Sequence, residues 1–198
     1  MSSSLEGAVS TSFEDDVLTS LWENINSLAP PQDATLPSRQ NGVCIPQKKY
    51  EKGAGRGAPN NQNLVLFVRQ DGSYLPVIAA LDENYDGLVN RDLQALGEAG
   101  FTIIIRFEWP GYVSQDFQVR TFDWCVPPKR ISLSKLGTEV AKVVRQLVDK
   151  LQTQNIAPEH AQWRVGPNGI EIKDLRLAAL EQVSAGSYQA RLFYKPQN

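Results

Sequence analysis

The chain contains few of the residues that carry metal or nucleophilic chemistry. Its 198 residues include two cysteines, Cys44 and Cys125, and one histidine, His160. Two cysteines cannot build a disulfide framework, and these three side chains lack the close spacing of a zinc site. The sequence therefore excludes a disulfide-rich scaffold and a Cys/His zinc module, and it predicts two buried free thiols.

Long apolar runs and an excess of one charge are also missing. No segment approaches the roughly 18 uninterrupted apolar residues of a membrane-spanning helix. The first residues, MSSSLEGAVS, lack the basic and apolar regions of a secretory signal. Lysine and arginine total 20 against 22 acidic residues, so a protein built mainly to coat nucleic acid is disfavoured. We expect an intracellular protein, cytoplasmic or nuclear, that does not enter the membrane.

The single histidine limits catalysis. A Ser-His-acid or Cys-His arrangement would have to use His160, and the sequence contains no G-x-S-x-G nucleophile turn. No catalytic residue is assigned, and a non-catalytic protein is favoured over an enzyme. A hydrolase that depends on His160 is the alternative within catalysis.

Composition divides the chain into three regions. Residues 1–12 are small and polar, which predicts a disordered tail. Residues 13–62 combine an amphipathic N-terminal helix with a linker rich in proline and glycine. Residues 63–198 carry the periodic patterns of a folded domain.

The patterns of the third region predict an α+β domain. Phe101–Ile105 is an apolar, β-branched run, which predicts a central strand buried on both faces at its start. Residues 63–81 predict a hairpin around Asp71-Gly72, 91–99 a short helix, and 162–172 a second hairpin. Ser132 or Ser134 is expected to cap a long helix that ends near residue 154. The expected architecture is a single antiparallel or mixed sheet of about six to seven strands, packed by one long and two shorter helices.

Residues 82–92, DENYDGLVNRD, resemble a calcium-binding loop of the EF-hand type. The oxygen-bearing side chains and the glycine at position 6 fit that pattern, although position 12 is Leu93 instead of a carboxylate. An Asx-rich turn before the next helix would produce the same letters. If calcium binds, the candidate ligands are Asp82, Asn84, Asp86 and Asp92.

Aromatic and basic residues cluster around the predicted central strand. Trp, Tyr and Arg are enriched in binding hot spots, although they are also ordinary core residues. The predicted binding surface consists of Arg106, Trp109, Tyr112, Arg120 and Trp124.

A second candidate surface is basic. Residues 129–150 carry six cations against two acids, which suits either a solvated helix face or a nucleic-acid contact. The residues assigned to this face are Lys129, Arg130, Lys135, Lys142 and Arg145.

Three blocks of the sequence carry a resemblance to a known group. They are EWPGY at 108–112, QVRTFDW at 118–124 and LRLAALEQVSAGSYQARL at 175–192. The chain is similar, over about residues 95–195, to a large group of uncharacterised intracellular proteins of mushroom-forming fungi. The resemblance implies a shared domain and a fungal source, and it transfers no catalytic or binding residue.

The leading functional hypothesis is a non-catalytic intracellular domain that contacts another protein or associates with itself. A nucleic-acid-associated regulator that uses the basic helix 129–150 is the alternative, followed by the His160-dependent hydrolase. No cofactor is expected, apart from calcium at the loop described above.

Overall fold

The computed structural model describes residues 42–48, 64–97 and 99–195. The predicted tail at 1–12, the predicted N-terminal helix and most of the predicted linker lie outside these residues. None of the helices in the described part of the chain is both long and apolar enough to cross a membrane.

The described residues form nine strands, two α-helices and two 3-10 helices. The strands are β1 Val43–Cys44, β2 Leu64–Leu66, β3 Leu75–Pro76, β4 Thr102–Phe107, β5 Gln115–Arg120, β6 Phe122–Asp123, β7 Lys129–Arg130, β8 Leu175–Ser184 and β9 Ser187–Tyr194. The α-helices are α1 Val77–Leu81 and α2 Leu133–Leu151, and the 3-10 helices are Pro158–Trp163 and Ile172–Asp174.

Seven strands build one mixed sheet, which confirms the predicted α+β class with one long helix. The order is β2-β8-β9-β4-β5, with β1 paired to β9 and β3 paired to β8. The β4-β9 pair is parallel, and the other pairs of this sheet are antiparallel. Strands β6 and β7 form a separate two-stranded hairpin.

Strand β4 is interior, as the isoleucine-rich run predicted, but its burial differs from the prediction. Ile103, Ile105 and Phe107 are buried, whereas the residues between them are partly exposed. Phe101 lies before the strand and is mostly exposed. The apolar start is therefore covered on one face only, because α2 packs on that side of the sheet.

Helix α2 covers the buried face. Its first turn is capped by Ser132, whose hydroxyl accepts a hydrogen bond from the Lys135 backbone N–H at 3.3 Å. The apolar stripe of this helix is entirely buried. Its members are Leu136, Val140, Val143, Val144, Leu147 and Leu151.

The first predicted hairpin is partly right. Val68 and Tyr74 pair across the predicted turn, where Gly72 has a φ of +78°. The second arm was wrong as a continuous strand, because it turns into α1 at Val77. Pro76 lies just before this helix. Its ring nitrogen carries no N–H, so it cannot continue a strand ladder, but it is tolerated at the start of a helix.

Two other predicted elements were also wrong. Residues 91–97 form turns instead of a helix, and Leu93 and Arg91 direct their carbonyls to the backbone of Leu133 and Ser134. The hairpin predicted at 162–172 is a single parallel bridge between Val165 and Ile170. In the first segment, bonds to distant backbone replace the local pattern, whereas the backbone bonds of the second segment run among residues 164–170.

The sheet also reaches into the predicted linker. Val43 and Cys44 pair with Tyr194 and Phe193 of β9. Gln47 then accepts a hydrogen bond from the Glu108 N–H at 3.0 Å and donates one to the Ala190 carbonyl. This segment belongs to the folded domain because its polar groups find partners there.

Candidate functional site

The predicted binding surface is divided between the two ends of β4. Thr102, at the start of β4, pairs with Arg120, and Phe107, at its end, pairs with Gln115. Trp109 and Tyr112 follow the end of β4, whereas Trp124 follows Arg120 at the start. Six residues of strand span about 20 Å, so these side chains form two clusters and not one.

At the far end, Trp109 and Tyr112 attach the strand to a later part of the chain. Trp109 is only 2% exposed, and its indole N–H donates to the Trp163 carbonyl at 2.8 Å. The Tyr112 hydroxyl accepts a hydrogen bond from the Val165 N–H at 3.1 Å. We call Trp109 and Tyr112 the anchored end. Both side chains have structural partners: Trp109 is buried, and Tyr112 is half-buried.

Arg106, the remaining member of the predicted surface, lies on β4 itself. It is the cross-strand partner of Asp116 on β5, and its guanidinium lies 3.5 Å from the Asp116 carboxylate. Opposite charges in directly paired strand positions stabilise a sheet modestly. Arg106 therefore has a structural role between the two clusters.

The near end exposes an apolar cluster. Phe101 is 69% exposed, Trp124 87% and Val126 100%. Phe122, which is partly buried, packs its ring against Phe101 with 4.7 Å between the ring centroids. We call Phe101, Phe122, Trp124 and Val126 the hairpin patch, since three of them lie on the β6-β7 hairpin. Exposed apolar side chains of this kind are a common feature of interaction sites.

Two arginines border the hairpin patch. The Arg120 guanidinium lies 5.1 Å from the centre of the Trp124 ring, and that of Arg130 lies 4.7 Å from Phe122. Arg130 also donates to the Ala99 carbonyl at 2.7 Å. Stacked arginines hold the rings in place and add positive charge beside an apolar surface.

The base of the hairpin is well fixed. Thr121 is buried, and its hydroxyl donates to the Gly100 carbonyl. Its own carbonyl accepts the Ile131 N–H at 3.0 Å. Lys135 on α2 forms an ion pair with Asp123, and this carboxylate raises the pKa of the Lys135 ammonium. A fixed base loses little conformational freedom on binding.

Sequence reasoning identified Trp124 and Arg120 but missed Phe101, Phe122 and Val126. The run Phe101–Ile105 indicated a buried strand, and Phe122 and Val126 were not among the residues of the predicted binding surface. The sequence did contain a signal for the exposure of Val126, namely the two prolines that follow it. Prolines interrupt the hydrogen bonds between strands, so a valine beside them is not expected inside a sheet.

The calcium-like loop folds as an Asx turn. The Asn84 side-chain oxygen accepts the Asp86 N–H at 3.1 Å, and the Asp86 carbonyl accepts the Arg69 side chain at 2.8 Å. Asp92 lies 3.3 Å from Arg91. Within the described ranges, no three His, Cys, Asp or Glu side chains are grouped in a way that could hold a metal ion. The three carboxylates among the candidate ligands, Asp82 included, therefore form no such group, and calcium binding by this loop stays a prediction.

An open depression of about 340 Å³ lies beside this loop. Among the described residues, its lining contains no serine, cysteine or histidine. The lining residues are Gln70, Tyr85, Gly87, Leu88, Asn90, Arg91, Asp92 and Leu93.

The predicted basic face is also dispersed. Lys129 and Arg130 form β7, whereas the other three cations lie on α2. Lys135 is paired with Asp123, and Lys142 is paired with Glu139 at 2.7 Å. Arg145 is exposed on α2. Two of the three helix cations therefore already have an acidic partner.

His160 lies in the first 3-10 helix, with its Cβ close to Gly111. In the described part of the chain, no serine or cysteine side chain is hydrogen-bonded to it. No described serine or cysteine therefore forms a nucleophile–base pair with this histidine.

Comparison with protein-family models, with curated proteins and with solved structures finds no match for this chain. The resemblance to the fungal group stays a prediction. Function rests on the residues of the chain itself.

Proposed function

We propose that this protein is a non-catalytic intracellular domain that binds another protein through the hairpin patch. The observation that carries the proposal is the exposure of Trp124, 87%, next to fully exposed Val126 on a hairpin outside the main sheet. Tryptophan, with a large apolar ring and a polar N–H, is the residue type most enriched among binding hot spots.

The surroundings of the hairpin patch support a binding role. Phe101 and Phe122 extend the apolar area from the hairpin to the start of β4. Arg120 stacks on Trp124 and keeps a charged group at the rim. An apolar centre with a charged rim is the usual anatomy of a protein interface.

The cysteines support an intracellular location. Cys44 and Cys125 are both free thiols. Burial raises the pKa of Cys44, so its thiol form is favoured at neutral pH. Unpaired cysteines suit a reducing compartment.

The alternatives lack comparable support among the described residues. Nucleic-acid binding through α2 is weakened by the pairing of Lys135 and Lys142 with acids. Hydrolysis through His160 lacks a nucleophile at hydrogen-bond distance.

Retention of cellular proteins on the immobilised chain tests the proposal. We expect an extract of the source cells to leave bound proteins on the wild type, and the Trp124→Ala variant to retain them at least about tenfold less. Leu93→Ala is the matched control, because Leu93 is also an exposed apolar side chain but lies outside the patch. Equal retention by all three chains would rule the hairpin patch out as the binding surface.

A further inference from the structure

We propose that strand β5 pairs antiparallel with β5 of a second copy of this chain, about a two-fold axis at Gln118. This inference goes beyond the proposed role of the hairpin patch, because it concerns a second surface, the outer edge of β5, whose partner is the same protein. The proposal depends on the positions of Asp116 and Arg120, which lie at equal distances on either side of Gln118 along β5.

Strand β5 lies at the edge of the sheet. Among the described strands, its one neighbour is β4. An edge strand presents unpaired backbone N–H and C=O groups, and proteins normally protect such edges with proline, lysine or a bulge. β5 reads QDFQVR, contains neither proline nor lysine, and pairs with β4 without a register shift over all six residues. Its outer edge is therefore suited to accept another strand.

The phase of the hydrogen bonds shows which residues face outward. The Ile104 N–H donates to the Gly186 carbonyl at 2.8 Å, so the Ile104 backbone faces away from β5. Gln118 is the cross-strand partner of Ile104. In an antiparallel ladder such a pair is not hydrogen-bonded, so the Gln118 backbone faces the outer edge. The Thr121 N–H donates to the Phe101 carbonyl at 3.0 Å, so the Thr121 backbone faces inward. The backbone of its neighbour Arg120 therefore faces the outer edge, as that of Gln118 does.

Asp116, Gln118 and Arg120 thus share two properties. Their backbone groups point to the outer edge, because they alternate in phase with Gln118. Their side chains are exposed on the face opposite to α2, whereas Val119 on the other face is buried. The backbone of this edge therefore faces a second strand, and the exposed side chains of Asp116, which also pairs with Arg106, and of Arg120 lie beside it.

One register uses all three residues. When Gln118 lies opposite Gln118 of the second copy, Asp116 lies opposite its Arg120, and Arg120 opposite its Asp116. Registers shifted by two residues keep the phase but pair fewer outward-facing residues. Charges on an edge strand usually prevent pairing. Here their signs are opposite and their positions symmetric, so the two-fold brings unlike charges together twice.

The flanking residues fit the same arrangement. Val113, two residues before β5, is 75% exposed. In the Gln118 register, this valine approaches the end of the other copy's β5 that leads to Trp124. The two-fold therefore adds apolar contact to the hairpin patch at both ends of the paired strands.

Exchange of the charges tests the pairing in the full-length chain by sedimentation equilibrium. We expect the wild type to dimerise, and Asp116→Arg and Arg120→Asp each to raise the dimer dissociation constant at least about tenfold, since each places like charges opposite one another. An equimolar mixture of the two variants should regain the dimer, because both cross-strand pairs are then unlike. Arg145→Asp is the matched control: the same exchange on the exposed face of α2 should leave dimerisation unchanged.

A second variant covers the case in which Asp116→Arg, which also removes the 3.5 Å pair with Arg106, fails to fold. Gln118→Pro removes a backbone donor that faces outward, a position at which an edge strand tolerates proline. It should keep the far-ultraviolet circular dichroism of the wild type and lose the dimer. A monomeric wild type, a dimer unaffected by these changes, or folded single variants whose mixture stays monomeric would overturn the proposal.

The test separates this inference from the proposed function. A monomeric wild type that still retains other proteins through Trp124 would remove the β5 dimer and leave the binding role intact. A dimer that depends on Asp116 and Arg120, together with retention unaffected by Trp124→Ala, would remove the binding role of the hairpin patch and leave the β5 dimer intact.

Discussion

The two ends of β4 carry the same kinds of side chain in opposite environments. At the anchored end, Trp109 is buried and its indole N–H has a carbonyl partner 2.8 Å away. At the other end, Trp124 is exposed and is covered on one side by the Arg120 guanidinium. The difference comes from what the chain does next. Residues 158–165 return to cover Trp109, whereas the β6-β7 hairpin carries Trp124 away from the core.

The comparison separates stability from recognition. A buried tryptophan with its N–H satisfied contributes to the free energy of unfolding, and an exposed one contributes little. Binding energy is available only where apolar area is still in contact with water. We therefore expect substitutions at the anchored end to change stability and those at the hairpin patch to change association.

Trp109→Ala is expected to have the largest effect. It removes a buried ring and leaves the Trp163 carbonyl without its donor, so the free energy of unfolding should fall by about 3–5 kcal/mol. Urea unfolding followed by circular dichroism measures the change. A loss below about 1 kcal/mol would contradict the burial on which the comparison depends.

Parts of the fold with strong periodicity were predictable. Ile103 to Ile105 and the leucine-valine stripe of α2 have unambiguous patterns, and both were placed correctly. Segments that lack such patterns were not. Residues 91–97 resemble a capped helix, yet their carbonyls bond to the start of α2. These bonds link positions about 40 residues apart in sequence, and local propensity contains no information on such long-range contacts.

The candidate site was only half predictable for a related reason. The sequence places Trp109 and Trp124 on either side of the β4-β5 pair, and both look equally suited to a binding surface. Their difference depends on Trp163, which lies 54 residues from Trp109. Burial of an aromatic residue is set by long-range packing, so the sequence could name the candidates but could not separate them.

Gly111→Ala tests how closely the anchored end is packed. Gly111 has a φ of +81°, and a Cβ there would lie 2.7 Å from the His160 Cβ and from Ile156 Cγ1. Backbone strain and this overlap together should lower the free energy of unfolding by more than about 1 kcal/mol. Gly72→Ala is the control, since its φ is also positive but its surroundings are open. Equal losses in the two variants would show that crowding at Gly111 contributes nothing.

Tyr188→Phe probes the sheet between the two ends, where Tyr188 pairs with Ile105 of β4. Burial raises the pKa of Tyr188 above its ordinary value of 10.0. The unfolded chain therefore releases this proton first as pH rises, so stability is complete below that value and is lost above it. The slope is at most about 1.4 kcal/mol per pH unit for one proton.

The measurement is the difference in unfolding free energy between about pH 8 and about pH 11. A phenylalanine side chain cannot ionise, so the variant should lose less stability over this range than the wild type. Tyr85, whose pKa is also raised by burial, accounts for part of the remaining loss. An identical loss in both proteins would mean that Tyr188 ionises equally well in the folded and unfolded chains.

Trp124→Ala is expected to have the smallest effect on stability. The side chain is almost fully exposed, so its removal costs little beyond the stacking with Arg120, about 0.5 kcal/mol. The same substitution should shift the average tryptophan emission to shorter wavelength, because it removes a fluorophore in water while the buried Trp109 and the half-buried Trp163 remain. The spectrum and the urea midpoint come from one titration. A loss of unfolding free energy near that of Trp109→Ala would make the hairpin patch part of the core, and the contrast between the two ends of β4 would disappear.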